Sequence, residues 1–238
     1  VISMGRVIST GNEDLDARLG GGIPIPLMLL IEGGHGIGKS VLALQIAYGA
    51  LNSGLRVTYV TTEATVRSFL DQAKRVSLDV SRFYLRGLLK VHPIHIEGLR
   101  WSKGTASRLL PYIASYLMST LNTWDAVVLD SFTVLASYAD MDRVLDFSTK
   151  LKLVTSNRDK LVVLTAHTGA LSEGLMLRLR SVCDGLIFLK AAEIGGINVK
   201  IMEVAKLRGA RGPVDQVMVF DVDPAFGIKL LPLTLTRG

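Results

Sequence analysis

The segment LMLLIEGGHGIGKSVLALQIAYGALN, residues 27–52, limits the possible folds more than any other part of the chain. An apolar run (27–33) meets a helical pattern (40–52) through a glycine-rich turn. That turn, GGHGIGKS (33–40), matches G-x-x-x-x-G-K-[ST]. A buried strand that feeds a helix in this way belongs to an α/β architecture. Gly33, Gly34, Gly36 and Gly38 free the backbone to turn successive N–H groups onto phosphate oxygens. The helix N-terminus adds about half a positive charge. Lys39 is expected to reach the β- and γ-phosphates, and Ser40 to hold Mg²⁺ through its hydroxyl. His35, Ile37 and Val41 complete the candidate loop. His35 is expected to face solvent, with the γ-phosphate side as its alternative. The expected ligand is ATP with Mg²⁺.

The remainder alternates in the same style. Near-continuous apolar runs at 27–33, 56–62, 126–131 and 160–166 predict strands buried on both faces. Helical patterns lie near 40–52, 65–76, 103–121 and 141–157. After about residue 183 the pattern becomes strand-like with Gly-Gly and Asp-Pro turns, which predicts antiparallel strands added to one edge. The expected fold is therefore α/β, with a mainly parallel central sheet flanked by helices and antiparallel strands near the C-terminus. No repeat, low-complexity tract or linker divides it, so residues 1–238 are expected to form a single domain. Hydrophobic residues make up 49% of the 238 and charged residues 20%, enough for a sizeable core. The net charge of +6 suits an anionic ligand but is too diffuse to specify nucleic acid. A lone cysteine, Cys183, rules out an internal disulfide framework and fits a reducing compartment. The longest apolar run, Ile23 to Ile31, contains two prolines and is far short of the ~20 residues a membrane span needs.

Other polar residues end predicted strands. Asp130 closes AVVLD, where a carboxylate can orient Mg²⁺ or its waters; the alternative is a cap on the next turn. Glu63 closes VTYVTTE, where carboxyl ends of parallel strands face the ligand crevice. It is the candidate for polarising an attacking water, with an N-cap or first-turn acid on the helix starting near Thr65 as the alternative. Thr165 and His167 end KLVVLTAH and are candidates for sensing the γ-phosphate or for ordinary strand-end polarity. His92 and His95 in VHPIHI lack the cysteines or acids that would complete a metal site.

Together these residues resemble the RecA superfamily and, within it, the KaiC-like group. STGNEDLDARLGGGIP (9–24) is similar to that group's lead-in motif, with a Leu-Asp pair and a triple glycine before the first strand. Glu63 falls where RecA-type ATPases carry their catalytic glutamate. Much of the group has a second glutamate next to it, and here that position is Ala64. AKLRGARG (205–212) resembles the K-x-R-G segment through which one subunit reaches its neighbour's ATP site. The resemblance therefore gives Lys206 and Arg208 a trans contact to the γ-phosphate, a role suited to charge-assisted hydrogen bonds. Within the group the chain is most similar, over nearly its whole length, to the archaellum accessory ATP-binding family. That match includes GGHGIGKS, with isoleucine where the family usually has threonine (Ile37), VTTE, and the terminal DPAFGIKLLPLTLTRG.

The resemblance implies a cytoplasmic protein that forms rings, often hexameric. It implies binding to the archaellum motor ATPase and to a membrane-associated scaffold ring at the inner face of the membrane. It also implies that nucleotide binding outweighs turnover. Two alternatives share the same core. A RecA-type DNA-handling ATPase usually adds an N-terminal helical DNA-binding domain and basic mobile loops, whereas TGALSEG after His167 has no lysine or arginine. A working KaiC-like signalling ATPase is kept open by Glu63.

Overall fold

The computed structural model describes residues 6–94 and 103–232. His95 and the last six residues of the terminal motif lie outside them. The lead-in motif forms a short antiparallel pair, β1 (Arg6–Ile8) with β2 (Ile23–Ile25), around α1 (Glu13–Arg18). Asn12 caps α1 by accepting from Leu15 N, and its Nδ2 donates to Ile228 O. Asp16 accepts from Thr10 N and Thr10 Oγ1, which fixes the turn.

The main body then runs β3 (Leu27–Gly33), α2 (Lys39–Asn52), β4 (Val57–Thr61), α3 (Val66–Arg75), α4 (Ser81–Leu85) and β5 (Leu89–Pro93). It continues with α5 (Lys103–Ser119), β6 (Ala126–Asp130), α6 (Phe132–Ala136), α7 (Met141–Asn157), β7 (Leu161–His167) and α8 (Glu173–Val182). The end of the chain forms β8 (Gly185–Ile194), β9 (Ile197–Leu207), β10 (Val217–Asp223) and β11 (Gly227–Leu231). Among the described residues these build a nine-stranded sheet in the order β11-β10-β9-β8-β3-β7-β6-β4-β5. The run from β8 to β5 is parallel, and β9, β10 and β11 are antiparallel additions at the other edge.

Successive residues of a strand point to opposite faces, so a central strand needs apolar residues at every position. Leu27, Leu29 and Ile31 of β3 pack with Leu42, Ile46, Phe69 and Ala73 of α2 and α3. Met28 and Leu30 pack with Leu117, Phe147, Leu151 and Leu179 of α5, α7 and α8 on the other face. The central strands and the four long helices fall within about two residues of their expected bounds. β5, α8 and the β1–β2 pair go beyond what the pattern predicts. Each is short or polar, and periodicity over so few residues is weak.

Candidate functional site

The carboxyl ends of the parallel strands bring the predicted residues together. β3 delivers Gly33 in register with His167 of β7, and β4 delivers Thr61 in register with Asp130 of β6. The loop from Gly33 is tightly fitted. A Cβ on Gly33 would lie 2.6 Å from Leu189 O and 2.9 Å from Ile37 Cγ2. Gly38 starts α2 with φ +113°, and a Cβ there would stand 3.1 Å from Val222 Cγ2. Ile37 turns inward to the core, while Gly34, His35 and Gly36 stay exposed above the cleft. Lys39 is buried at the head of α2; its Nζ donates to Gly34 O at 2.6 Å and lies 3.2 Å from His167 Nδ1. Burial lowers its pKa, and the carboxylates of Asp130 and Glu63 oppose that shift.

Asp130 is the hub of the site. It is buried, and its Oδ1 accepts from Thr165 Oγ1 at 2.7 Å and from Ser40 Oγ at 3.1 Å. Its Oδ2 accepts from Tyr59 OH at 2.9 Å. Burial raises its pKa; the hydroxyls of Thr165, Tyr59 and Ser40 pull the other way, and nearby Glu63 adds to the rise. Its side chain therefore caps no turn, and the N-cap of α6 is Ser131. Thr165 is fully buried and directs its hydroxyl to Asp130, so here it supports the carboxylate. Tyr59 escaped the sequence reading, although a tyrosine within an otherwise apolar and threonine-bearing strand end was its signal. Burial drives its phenol pKa well above the usual value, reinforced by Asp130 and Glu63. Its hydroxyl remains a donor.

Glu63 stands just past β4. Its side chain is 61% exposed, with Oε1 3.7 Å from His167 Nε2. It precedes Thr65, the N-cap of α3, and so is not itself the cap. His35 is exposed as expected, and its ring also stacks on His167 with centroids 4.3 Å apart. The pKa of His167 is lowered by burial, then by Lys39 and His35, with Glu63 opposing. His92 bonds Tyr116 OH at 2.9 Å, and among the described residues no three His, Cys, Asp or Glu side chains group as a metal centre.

A cleft of ≈ 260 Å³ opens over this cluster, bounded by His35, Lys39, Ser40, Glu63, Asp130 and His167. Val41 lines it too, with Lys200 of β9 and Val222 of β10. Lys200 was not anticipated; a lysine in NVKIMEV reads as a solvent-facing strand residue. Here it donates to Asp221 Oδ1 at 2.7 Å beside the cleft. A second cavity of ≈ 270 Å³ lies on the other side of Asp130, between α2 and α3, and Ala64 forms part of its wall.

Lys206 and Arg208 are not part of the cleft. Gly33 is in register with Leu189, whereas Lys206 pairs with Leu186, which is level with Leu30 in the middle of β3. Arg208 N donates to Asp184 O, and Asp184 N donates to Met28 O, five residues below Gly33. At ~3.3 Å per residue that is about 16 Å along the strand. Lys206 Nζ donates to Arg180 O at 3.3 Å, and Arg208 is exposed.

A strand–glycine loop–helix unit, with a buried aspartate on a neighbouring parallel strand, defines a RecA-type P-loop domain. Residues 8–234 match the family described as "ATPase: KaiC". The archaeal flagellar ATP-binding protein FlaH of Sulfolobus acidocaldarius is 37% identical over 98% of this chain and 100% of its own length. The crystal structure of the flagellar accessory protein FlaH from Methanocaldococcus jannaschii superposes with a TM-score of 0.79 at 26% identity, covering 93% of this chain and 96% of that one. A KaiC-like protein from Pyrococcus horikoshii shares the fold, with a TM-score of 0.74 at 21% identity over 96% of this chain and 100% of that one. The chain belongs to the KaiC-type ATPase family and, within it, to the FlaH group of archaeal flagellar ATP-binding proteins.

Proposed function

We propose that the chain is a single RecA-type domain that binds ATP with Mg²⁺ and acts as a nucleotide-dependent assembly switch in the archaeal flagellar motor, with little or no hydrolysis. Gly33 to Ser40 cradle the phosphates, and Val41 continues the first turn of α2. Lys39 exchanges Gly34 O and His167 Nδ1 for phosphate oxygens. The hydroxyl of Ser40 and the carboxylate of Asp130, 3.1 Å apart, are hard oxygen donors suited to Mg²⁺, which keeps several waters and takes few protein ligands. The metal supplies positive charge against the phosphates, while Thr165 and Tyr59 hold Asp130 in place. Lys200 and Val222 border the same cleft.

The observation that carries the switch reading is the distance of Lys206 and Arg208 from their own subunit's loop. Cations set back along the sheet from the loop in this way serve a γ-phosphate best from a neighbouring copy, as part of a ring, hexameric by the family resemblance. Such a switch needs a difference in affinity between states, not fast chemistry: ~3 kcal/mol of preference shifts a population more than a hundredfold. The partners this reading implies are the archaellum motor ATPase and a membrane-associated scaffold ring, with the protein at the cytoplasmic face of the membrane. No described helix is long and apolar enough to cross a membrane.

The test is light scattering with ATP·Mg²⁺, with ADP and without nucleotide, beside a Lys206→Ala/Arg208→Ala variant. A defined ring formed only with ATP, and lost in the variant, supports the reading. A mass that never responds to nucleotide, even with the motor ATPase added, rejects it. A second reading, a working ATPase, is favoured by Glu63 lying beside His167 at the mouth of the cleft. Phosphate release above background that falls in Glu63→Gln would support it.

A further inference from the structure

The far edge of the sheet concentrates charge, of which Arg75 alone also lines the cavity beside Asp130. Residues 66–90, covering α3, α4 and the start of edge strand β5, hold six basic residues against two acidic ones. That is +4 of the chain's +6 in about a tenth of its length. Elsewhere many surface cations are matched: Arg18 with Asp215, Lys150 with Asp146, Lys190 with Glu203 and Lys200 with Asp221. On this edge Arg67, Lys74, Arg75 and Arg86 are exposed and make no ion pair with any described residue. Arg67 and Arg75 flank one shallow groove on α3. Of the two acids, Asp71 shares that groove, and Asp79 accepts from Ser81 N within electrostatic reach of Lys74 and Arg82.

An apolar tip projects from the same edge. α4 reads SRFYL and is followed by Arg86. Phe83 is buried beneath the guanidinium of Arg82, while Leu85 is 83% exposed beside the half-exposed Tyr84. Among the described residues Leu85 is the most exposed of the large hydrophobic side chains, and it stands between two arginines. It ends α4 and lines none of the cavities described, so a folded partner would find little concave surface to fill. A bilayer interface accepts this arrangement: one leucine enters the headgroup boundary, and the flanking arginines and the tyrosine stay at the level of the phosphates.

We propose that the α3–α4 edge is a direct contact for an anionic lipid surface, placing this chain on the membrane by its own residues and not through partners alone. Each exposed cation adds about fivefold in affinity at a negatively charged leaflet, and the attraction falls with salt.

The experiment is co-sedimentation of the full chain with phosphatidylglycerol-rich vesicles and with pure phosphatidylcholine vesicles across a salt series. Binding is expected to the anionic vesicles only, weakening as salt rises. Arg82→Gln and Arg86→Gln should each reduce it about fivefold and flatten the salt dependence. Leu85→Ser should reduce it without changing the salt slope. All three side chains are at the surface, so the variants keep the fold, which circular dichroism checks. Three results would overturn the proposal: no binding to the anionic vesicles at low salt; equal binding to both vesicle types; or binding that the three variants leave unchanged. Capture of soluble polyglutamate or single-stranded DNA through the same arginines, without vesicle binding, would likewise replace the lipid with another anionic partner. None of these readouts depends on ring formation.

Discussion

The Lys39 ammonium lies 3.2 Å from Nδ1 of His167, with Nε2 of the same ring 3.7 Å from Glu63 Oε1. This arrangement assigns the tautomer. Nδ1 faces a cation and must be the acceptor, so the proton sits on Nε2, toward the carboxylate. His167 thus bridges the cation proposed for the phosphates and the acid proposed to polarise water.

Replacing Lys39 with alanine removes the cation that the loop aims into the cleft. Hydrogen bonds to charged groups contribute about 1.5–3 kcal/mol, so losing contacts to two phosphates should weaken ATP binding on the order of a hundredfold or more. Calorimetric titration of Lys39→Ala with ATP·Mg²⁺ measures this. Affinity within a few-fold of the parent would contradict the site assignment.

The pH response follows from the same imidazole. Burial, then Lys39 and His35, hold the pKa of His167 below the ordinary value of 6.5. The unfolded chain therefore takes up the proton first. The stability tied to neutral His167 is complete above the ordinary histidine range and is lost as pH falls through it toward the lowered folded value. His167→Gln should lose less stability than the parent between neutral and mildly acidic pH. Urea midpoints measured across that range check it; parallel curves for the two proteins would remove His167 from the account.

Much of this site was legible from the sequence because its parts are local. GGHGIGKS carries its own turn geometry, and Asp130, Glu63, Thr165 and His167 all follow from the rule that polar residues at the carboxyl ends of parallel strands meet at one crevice. What escaped depends on register between distant strands. Lys200 reaches the cleft because β9 folds back along β8, and β8 runs parallel to β3. Tyr59 reaches Asp130 only through the pairing of β4 with β6. The alternation of apolar strands and helical patterns foretold the parallel sheet. The edge strand β5, with Lys90, His92 and Pro93 in five residues, lacks the apolar run that marks a central strand.

Substituting Asp130 with asparagine keeps the shape of the hub and removes its charge. Thr165, Tyr59 and Ser40 now donate to the carboxylate, and an amide offers one oxygen where there were two. If Asp130 and Ser40 hold Mg²⁺, the variant should lose most of the extra affinity that Mg²⁺ gives ATP and little of the affinity measured in chelator. Titrations with and without Mg²⁺ separate these contributions. Equal losses in both conditions would show that Asp130 acts only as a structural hydrogen-bond acceptor.

The strand that carries the phosphate loop has a charged anchor. Glu32, immediately before Gly33, is 2% exposed, and both its oxygens accept from Arg180 of α8, at 2.8 and 2.9 Å. Arg180 also donates to Glu173 at 2.7 Å, so its guanidinium ties the first turn of α8 to the end of β3. Breaking such a pair from one side leaves a buried charge without compensation, at a cost of about 3–5 kcal/mol. Arg180→Gln should therefore lower the urea midpoint strongly. Glu32→Gln/Arg180→Gln should recover much of the loss, because no unpaired charge remains and the two amides can hydrogen-bond each other. Denaturation of both variants and of Glu32→Gln alone completes the cycle. A double variant no more stable than Arg180→Gln would mean that Arg180 stabilises through its packing on Phe188, 5.6 Å from the ring centroid, and not through the charge of Glu32.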